Sequence, residues 1–486
     1  MHYLDLPLLQ IHQALVEKKV TPLELTQEAL RRAKASDVNA FELLLEKEAL
    51  EFAASLTEPE EDNVLWGIPY LAKDNFSTKG IVTTGSSNIL NGYRPVFDAT
   101  VIARLKEKKC VLLGKTTLDE LAMGGSGAAG HLGKTFNPWD PTHQRMIGGS
   151  SSGSAAAMAL GIVPFALGSD TGDSVRKPAS YGGVIGLKPT WGRISRYGLF
   201  PFAPSLDHVG YFTRYAEDAA ILLSALAGRD LNDSTSSERP VEDYWKQCKA
   251  PFKGAKIAVL PEVIESLTDE VIRETFVESL KKLEQIGCVV EEVPFGRALL
   301  ESIYPSYIVI SCAEATSNDA NLDGIKFGPF HEGKTYQEVM MKARTSGFSE
   351  LIKRRFVIGS FCLMKENQED LFLRAQRNRA RLVERTNQIL ADHDFIVLPT
   401  ASSIAPKFED VSNRLSEKYR VADYHLILGN FAGLPSISLP LGYEEGMPFG
   451  VSLMGRAFEE GNLLSFACVY ECLTGLAGTY YGKEGK

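Results

Sequence analysis

Two clusters of small and hydroxylated residues, separated by one apolar unit, constrain this chain more than any other feature. In "GGSSSGSAAAMALG" (148–161) glycines and serines stand directly before an alanine-rich segment. That pattern predicts a helix N-terminus with spare backbone N–H donors, where hydroxyls cap well. "IVPFALGSD" (162–170) then reads as a buried strand, "TGDSVRKP" (171–178) as the turn after it, and "GVIGLKP" (183–189) as a further apolar segment. A single helix–strand unit between the clusters allows both loops to return to the same edge of a sheet.

The rest of the chain predicts a mixed α/β architecture. Thr21-Pro22-Leu23-Glu24 is a capping box with proline at the first helical position, so a helix starts there and runs to about Ala35. "KIAVL" (256–260), an amphipathic helix over roughly Asp269 to Ile286, and "CVVEEV" (288–293) give strand–helix–strand order and hence a parallel crossover. A polar helix from about Gln368 to Asp392 leads into "FIVLP", and "LWGIPYLAKDNF" (65–76) reads as a buried strand interrupted by Lys73 and Asp74. Residues 228–252 read as a surface excursion. There is no internal repeat, low-complexity linker or long charge block.

Composition narrows the function classes. Hydrophobic content of 44% and charged content of 23% over 486 residues fit a soluble globular protein with a sizeable core. The longest apolar run, Ala155 to Gly168, is short for a bilayer and contains Gly161 and Pro164, so no membrane span is expected. The N-terminus lacks the basic start and apolar core of a signal peptide. Seven dispersed cysteines without a Cys-x-x-Cys pair point to a reducing compartment, and a cytoplasmic enzyme or enzyme subunit is expected. A formal net charge of −9 argues against extensive phosphate binding by this chain alone.

Several catalytic motifs fail on context. Gly149-Ser150-Ser151-Ser152-Gly153 matches the G-x-S-x-G elbow, but "DPTHQRM" before it is a poor strand, and neither His393 nor His425 has a recognisable setting. Gly114-Lys115-Thr116 and Gly133-Lys134-Thr135 end like phosphate loops, yet Lys109 and Ala128 occupy the position that needs glycine. The eight histidines show no metal-ligand spacing, so no metal is expected. Without histidine, a serine can still be activated by an uncharged lysine, because burial lowers a lysine pKa by up to about 3–5 units. Lys73, at the end of an apolar strand, is the candidate base. An ion pair with Asp74 is the alternative role for it.

The serine clusters, the "GSDTG-x-S-x-R" pattern and the upstream "GIP-x-x-x-KDN" resemble the amidase signature family. So do "GLKPTWGRISRYGL", "AGLPSISLPLG" and "PFGVSLMG", and the resemblance covers nearly the whole chain. It implies one amidase domain over 1–486 with its core at about 60–215. The implied fold is α/β, a large mixed β-sheet flanked by helices on both faces. It also implies a Ser-cis-Ser-Lys triad of Lys73 as base, Ser150 as bridge and Ser174 as nucleophile. Backbone N–H groups of Thr171, Gly172, Asp173 and Ser174 would form the oxyanion hole.

Within that family, "EATSNDANLDGIKFG", "GFSELIKRRFVIGSF" and "LNDSTS" are most similar to the glutaminase subunits of tRNA-dependent amidotransferases. This likeness implies glutamine as ammonia donor, held by Tyr307, Arg355 and Asp423. It implies the B and C subunits of the amidotransferase as partners, tRNA bound mainly through the B subunit, and no cofactor in this chain. ATP and magnesium would be used by the partner. A self-contained amidase for another small amide and a catalytically weak scaffold are the alternatives.

The chain departs from the family pattern at Ser152, at Asp173 and in "GGSGAAG" (124–130), where a polar pair is lost. Asp173 stands where the family has glycine before the nucleophile. An unpaired carboxylate ~5 Å from a developing oxyanion would oppose it by ~3 kcal/mol at an effective dielectric of about 20, roughly a hundredfold in rate. Lys177, where the family commonly has glutamine, lies four residues on and would pair with Asp173 across a helical turn.

Overall fold

Strands covered on both faces read as continuous apolar runs rather than alternating ones, and that is the character of the central strands here. The computed structural model describes residues 2–413 and 417–483. Its strands are β1 (Phe41–Leu44), β2 (Pro69–Lys73), β3 (Val111–Thr116), β4 (Phe165–Asp170), β5 (Ile185–Lys188), β6 (His208–Thr213), β7 (Lys256–Val259), β8 (Val289–Glu292), β9 (Phe395–Pro399), β10 (Ser436–Glu444) and β11 (Met447–Met454). They form one sheet in the order β1-β3-β2-β4-β6-β5-β10-β11-β9-β7-β8. β2 runs parallel to both β3 and β4, and β7 runs parallel to β8 and β9. The remaining pairs are antiparallel. Every residue of β2, β4, β6 and β9 is buried, whereas the edge strand β8 is partly exposed.

The helices follow from their caps. Pro22–Lys34 starts at the Thr21/Glu24 capping box, and Glu270–Gln285 at Asp269, whose side chain accepts from Ile272 N–H. That second helix joins β7 to its parallel partner β8, the crossover expected from the sequence. Arg374–Asp392 leads into β9. The stretch 228–252 runs largely over the surface as read, anchored by the buried Tyr244, whose hydroxyl accepts from Arg193 Nε at 2.7 Å. Among the described residues no helix is long and apolar enough to cross a membrane.

Helix Ser152–Ala159 is buried at every position and packs on β2, β4 and helix Arg176–Gly182. Only Ala, Ser, Gly and one Met allow such close approach, which explains its composition. It carries the chain from the loop at 148–151 back to the start of β4. The 148–151 loop and the 171–175 loop therefore both lie at the carboxyl edge of β2 and β4, the edge where open α/β sheets form their binding crevices.

Candidate functional site

Lys73 is the last residue of β2 and is wholly buried. Its Nζ lies 2.7 Å from Ser150 Oγ, 3.0 Å from Ser151 Oγ and 2.9 Å from Ser169 Oγ. Asn75 Nδ2 donates to the same Ser169 hydroxyl at 2.9 Å. Burial is the main cause that pushes the Lys73 ammonium down to about 7, with Asp119, Asp170 and Asp207 pulling the other way. The ion-pair role is excluded. Asp74 instead faces Lys115, whose Nζ is 3.2 Å from Oδ1, while Thr84 N–H and Oγ1 each donate to Oδ2 at 2.7 Å. Lys115 is buried inside the sheet and also donates to Phe76 O, so the glycine-lysine-threonine stretch at 114–116 is a strand and not a phosphate loop.

The Gly149–Ser150 peptide is cis. A side chain on Gly149 would run into Asp119 Oδ2, so the Ser150 loop needs a glycine there. Asp119 organises the neighbouring 124–130 loop by accepting from the N–H groups of Ser126, Gly127 and Ala129 at 2.9–3.1 Å. Ser152, one of the departures from the family pattern, is accommodated by Gly127. That glycine has φ +73°, and a Cβ there would sit 2.7 Å from Ser152 Cβ.

Ser174 is buried in the turn that follows β4. The expected turn over 171–178 is shorter than read from sequence: helix Arg176–Gly182 begins within it, and Lys177 N–H donates to Asp173 O at 2.9 Å. The turn is held by a buried ion pair that the sequence reading did not single out. Arg176 Nη2 and Nε reach Asp170 Oδ1 and Oδ2 at 2.9 and 3.1 Å, and Nη2 also donates to Gly172 O at 2.7 Å. Asp170 Oδ2 accepts Val175 N–H, and its carboxyl stays well below the usual range because Arg176 outweighs the burial. The aspartate and arginine of "GSDTG-x-S-x-R" were the available signal. Thr171 Oγ1 is fixed in turn by Asp207 at 2.6 Å.

With the turn so braced, the backbone N–H groups of Thr171, Gly172, Asp173 and Ser174 donate to no acceptor among the described residues. They are the residues expected to line an oxyanion hole. Ser151 N–H donates to Ser174 O at 3.2 Å, which docks the Ser174 turn on the Ser150 loop through the backbone. Asp173 does not stand alone: Lys177 Nζ is 2.5 Å from its Oδ2. Burial raises the Asp173 carboxyl, and Lys177 opposes that shift.

The three residues expected to hold an amino-acid substrate gather around this turn. The Tyr307 ring lies against Gly172, where a Cβ would meet its hydroxyl at 3.3 Å. Burial raises the Tyr307 phenol, while the Arg355 cation pulls it back. Arg355 sits 5.7 Å from the Phe202 ring centroid and beside the Cys312 thiol, and its Nε and Nη1 are shut off from solvent with no nitrogen or oxygen partner among the described residues. Asp423 Oδ1 accepts Ser402 Oγ at 2.9 Å, and its buried Oδ2 has no partner among the described residues. Free guanidinium donors and a free carboxylate oxygen, both hidden from water, are costly unless a ligand satisfies them. His393 bonds Ile389 O and Glu291, and His425 is buried and pushed down to about 3, mainly by burial and then by Lys177.

A family model described as Amidase matches residues 24–464 of this chain. The A subunit of the glutamyl-tRNA(Gln) amidotransferase of Streptococcus pneumoniae (strain ATCC 700669 / Spain 23F-1) is 40% identical over 473 residues, 96% of either chain. Among solved structures, the A subunit of the glutamyl-tRNA(Gln) amidotransferase from Thermotoga maritima matches with a TM-score of 0.79 and 38% identity, over 96% of this chain and 94% of that one. The native peptide amidase from Stenotrophomonas maltophilia matches with a TM-score of 0.81 and 27% identity, over 98% and 99%.

Proposed function

The chain belongs to the amidase signature family, and from that premise we propose that it is the amide-hydrolysing component of a tRNA-dependent amidotransferase, with glutamine as the amide it cleaves. The observation that carries the reading is a buried, readily neutralised lysine touching Ser150, beside a Ser174 turn whose amides are free. Neutral Lys73 takes a proton through Ser150 as Ser174 Oγ attacks the amide carbonyl. The developing oxyanion is met by the N–H groups of residues 171–174, each such donor being worth about 3–4 kcal/mol in the transition state. The proton passes to the leaving ammonia, and water then releases the carboxylate from the Ser174 ester.

The free donors of Arg355 suit the α-carboxylate of glutamine, Asp423 Oδ2 suits its α-ammonium, and Tyr307 positions the amino-acid end. The whole chain acts as one catalytic unit in the cytoplasm. It passes ammonia to a B subunit that binds tRNA and uses ATP with magnesium, while a C subunit braces the pair. The likeness to A subunits of glutamyl-tRNA(Gln) amidotransferases supports the amidotransferase part of that reading.

The test is ammonia release from glutamine by the purified chain, alone and with the B and C subunits, beside a Ser174→Ala control. Partner-stimulated release that depends on Ser174 is the expected result. Equal activity alone, with preference for another amide, would mean a self-contained amidase; no release from a folded, assembling protein would mean a scaffold.

A further inference from the structure

One ammonium group touches both ends of the site. Lys177 is nearly buried, and its Nζ lies 2.5 Å from Asp173 Oδ2 beside the nucleophile. The same Nζ donates at 2.7 Å to the backbone carbonyl of Asp423, the residue whose Oδ2 is free for a substrate ammonium. It also sits 5.5 Å from the Tyr424 ring centroid, and Tyr424 stacks on Tyr304 at 4.0 Å. Lysine here therefore joins the Ser174 turn to the segment that presents Asp423, two elements that are about 250 residues apart in sequence but rest on one side chain.

Beyond the Asp170–Arg176 pair and Asp207, which brace the turn itself, Asp173 and Asp423 are the anions and Lys177 and Arg355 the cations on the substrate side, one of each sign for either end of a zwitterionic amino-acid amide. We infer that Lys177 is a positioning residue that couples the nucleophile turn to the ammonium-binding Asp423, and that Asp173 is the counter-charge that makes this cation compatible with an ammonium-bearing substrate. The inference rests on the reading of the site as a Ser174-dependent amide hydrolase. Removing Asp173 alone leaves an uncompensated cation beside the place of the substrate ammonium. Removing Lys177 alone leaves a carboxylate beside the oxyanion-hole amides and releases the Asp423 carbonyl. The two single changes fail for different reasons, and together they cancel in charge.

The test is a double-mutant cycle in the assembled complex with Asp173→Gly, Lys177→Gln and both together, and with Lys177→Arg to keep the cation. Ammonia release is followed from glutamine and from the glutamine analogue that lacks the α-ammonium. Asp173→Gly should raise the KM for glutamine over that for the analogue by about fivefold, the scale of a weak site-to-site coupling. Lys177→Gln should lower kcat on both substrates, with Lys177→Arg recovering part of the loss. The double variant should lose at least about tenfold less in kcat/KM for glutamine than the product of the two single losses, as expected for groups in contact. Thermal melting of each variant separates these effects from loss of fold. Losses that multiply without coupling, or an Asp173→Gly effect equal on the two substrates, overturn the inference while leaving Ser174-dependent hydrolysis by the native chain intact. Absence of Ser174-dependent release from the native complex overturns both.

Discussion

Replacing Lys73 with methionine tests the central premise by two routes. The side chain is fully buried, and its ammonium falls from an ordinary 10.5 to about 7, chiefly through burial. A fall of about 3.5 units corresponds to roughly 5 kcal/mol of differential interaction at ~1.36 kcal/mol per unit. The sign follows from proton counting. Between about pH 7 and 10.5 the unfolded chain holds this proton and the folded chain does not, so stability rises with pH through that window. The cost of burying Lys73 is fully present below pH 7 and gone above 10.5. The native protein should therefore gain on Lys73→Met by about 3 kcal/mol between about pH 7 and pH 9.5 in urea unfolding. Activity should give a second readout: a kcat/KM limb that rises with pH around 7 in the native enzyme, and about a hundredfold or greater loss in the variant, the scale of a removed general base. A stability difference flat with pH, or a variant that still hydrolyses glutamine, would refute the neutral-lysine mechanism.

Arg355→Met should raise the KM for glutamine by about tenfold or more while moving kcat less, since charge-assisted hydrogen bonds contribute about 1.5–3 kcal/mol; steady-state ammonia release decides it. Arg176→Met strands the buried Asp170 carboxylate that braces the turn, and should lower the stability by about 3–5 kcal/mol in urea unfolding. Lys115→Met strands Asp74 in the same way, but with a pH signature. Burial already raises the Asp74 carboxyl, so protonation relieves the unpaired group in acid. The loss of stability should then be smaller at about pH 5 than at about pH 8 in paired denaturation curves.

Particular residues show where the sequence was legible. The Thr21/Glu24 box and the strand–helix–strand unit over 256–293 rest on contacts within a few residues or on one amphipathic period, and the structure builds both as read. The Asp173–Lys177 pair was legible for the same reason, as neighbours across one turn. Lys73 and Asp74 were not resolved from each other, although the alternation of side chains along an extended chain already implied opposite faces. Which face held the serines and which held Lys115 depended on the order of β3, β2 and β4. The Asp170–Arg176 bracket was visible as a motif but not as a brace, because its further partners, Asn430 and Leu426 O, come from a segment about 250 residues away.

The sequence by itself determined the local devices: the caps, the alanine-rich helix start, the two serine turns and the amidase-type order in which they occur. Those depend on backbone geometry and on side chains close along the chain. Only the tertiary structure decided that Asp74 turns away from Lys73 to meet Lys115, and that one lysine spans the Ser174 turn and Asp423. It also decided that donors of Arg355 and an oxygen of Asp423 lie buried without nitrogen or oxygen partners among the described residues. These facts depend on strand order and on which groups burial removes from water, and no local pattern along the chain specifies either.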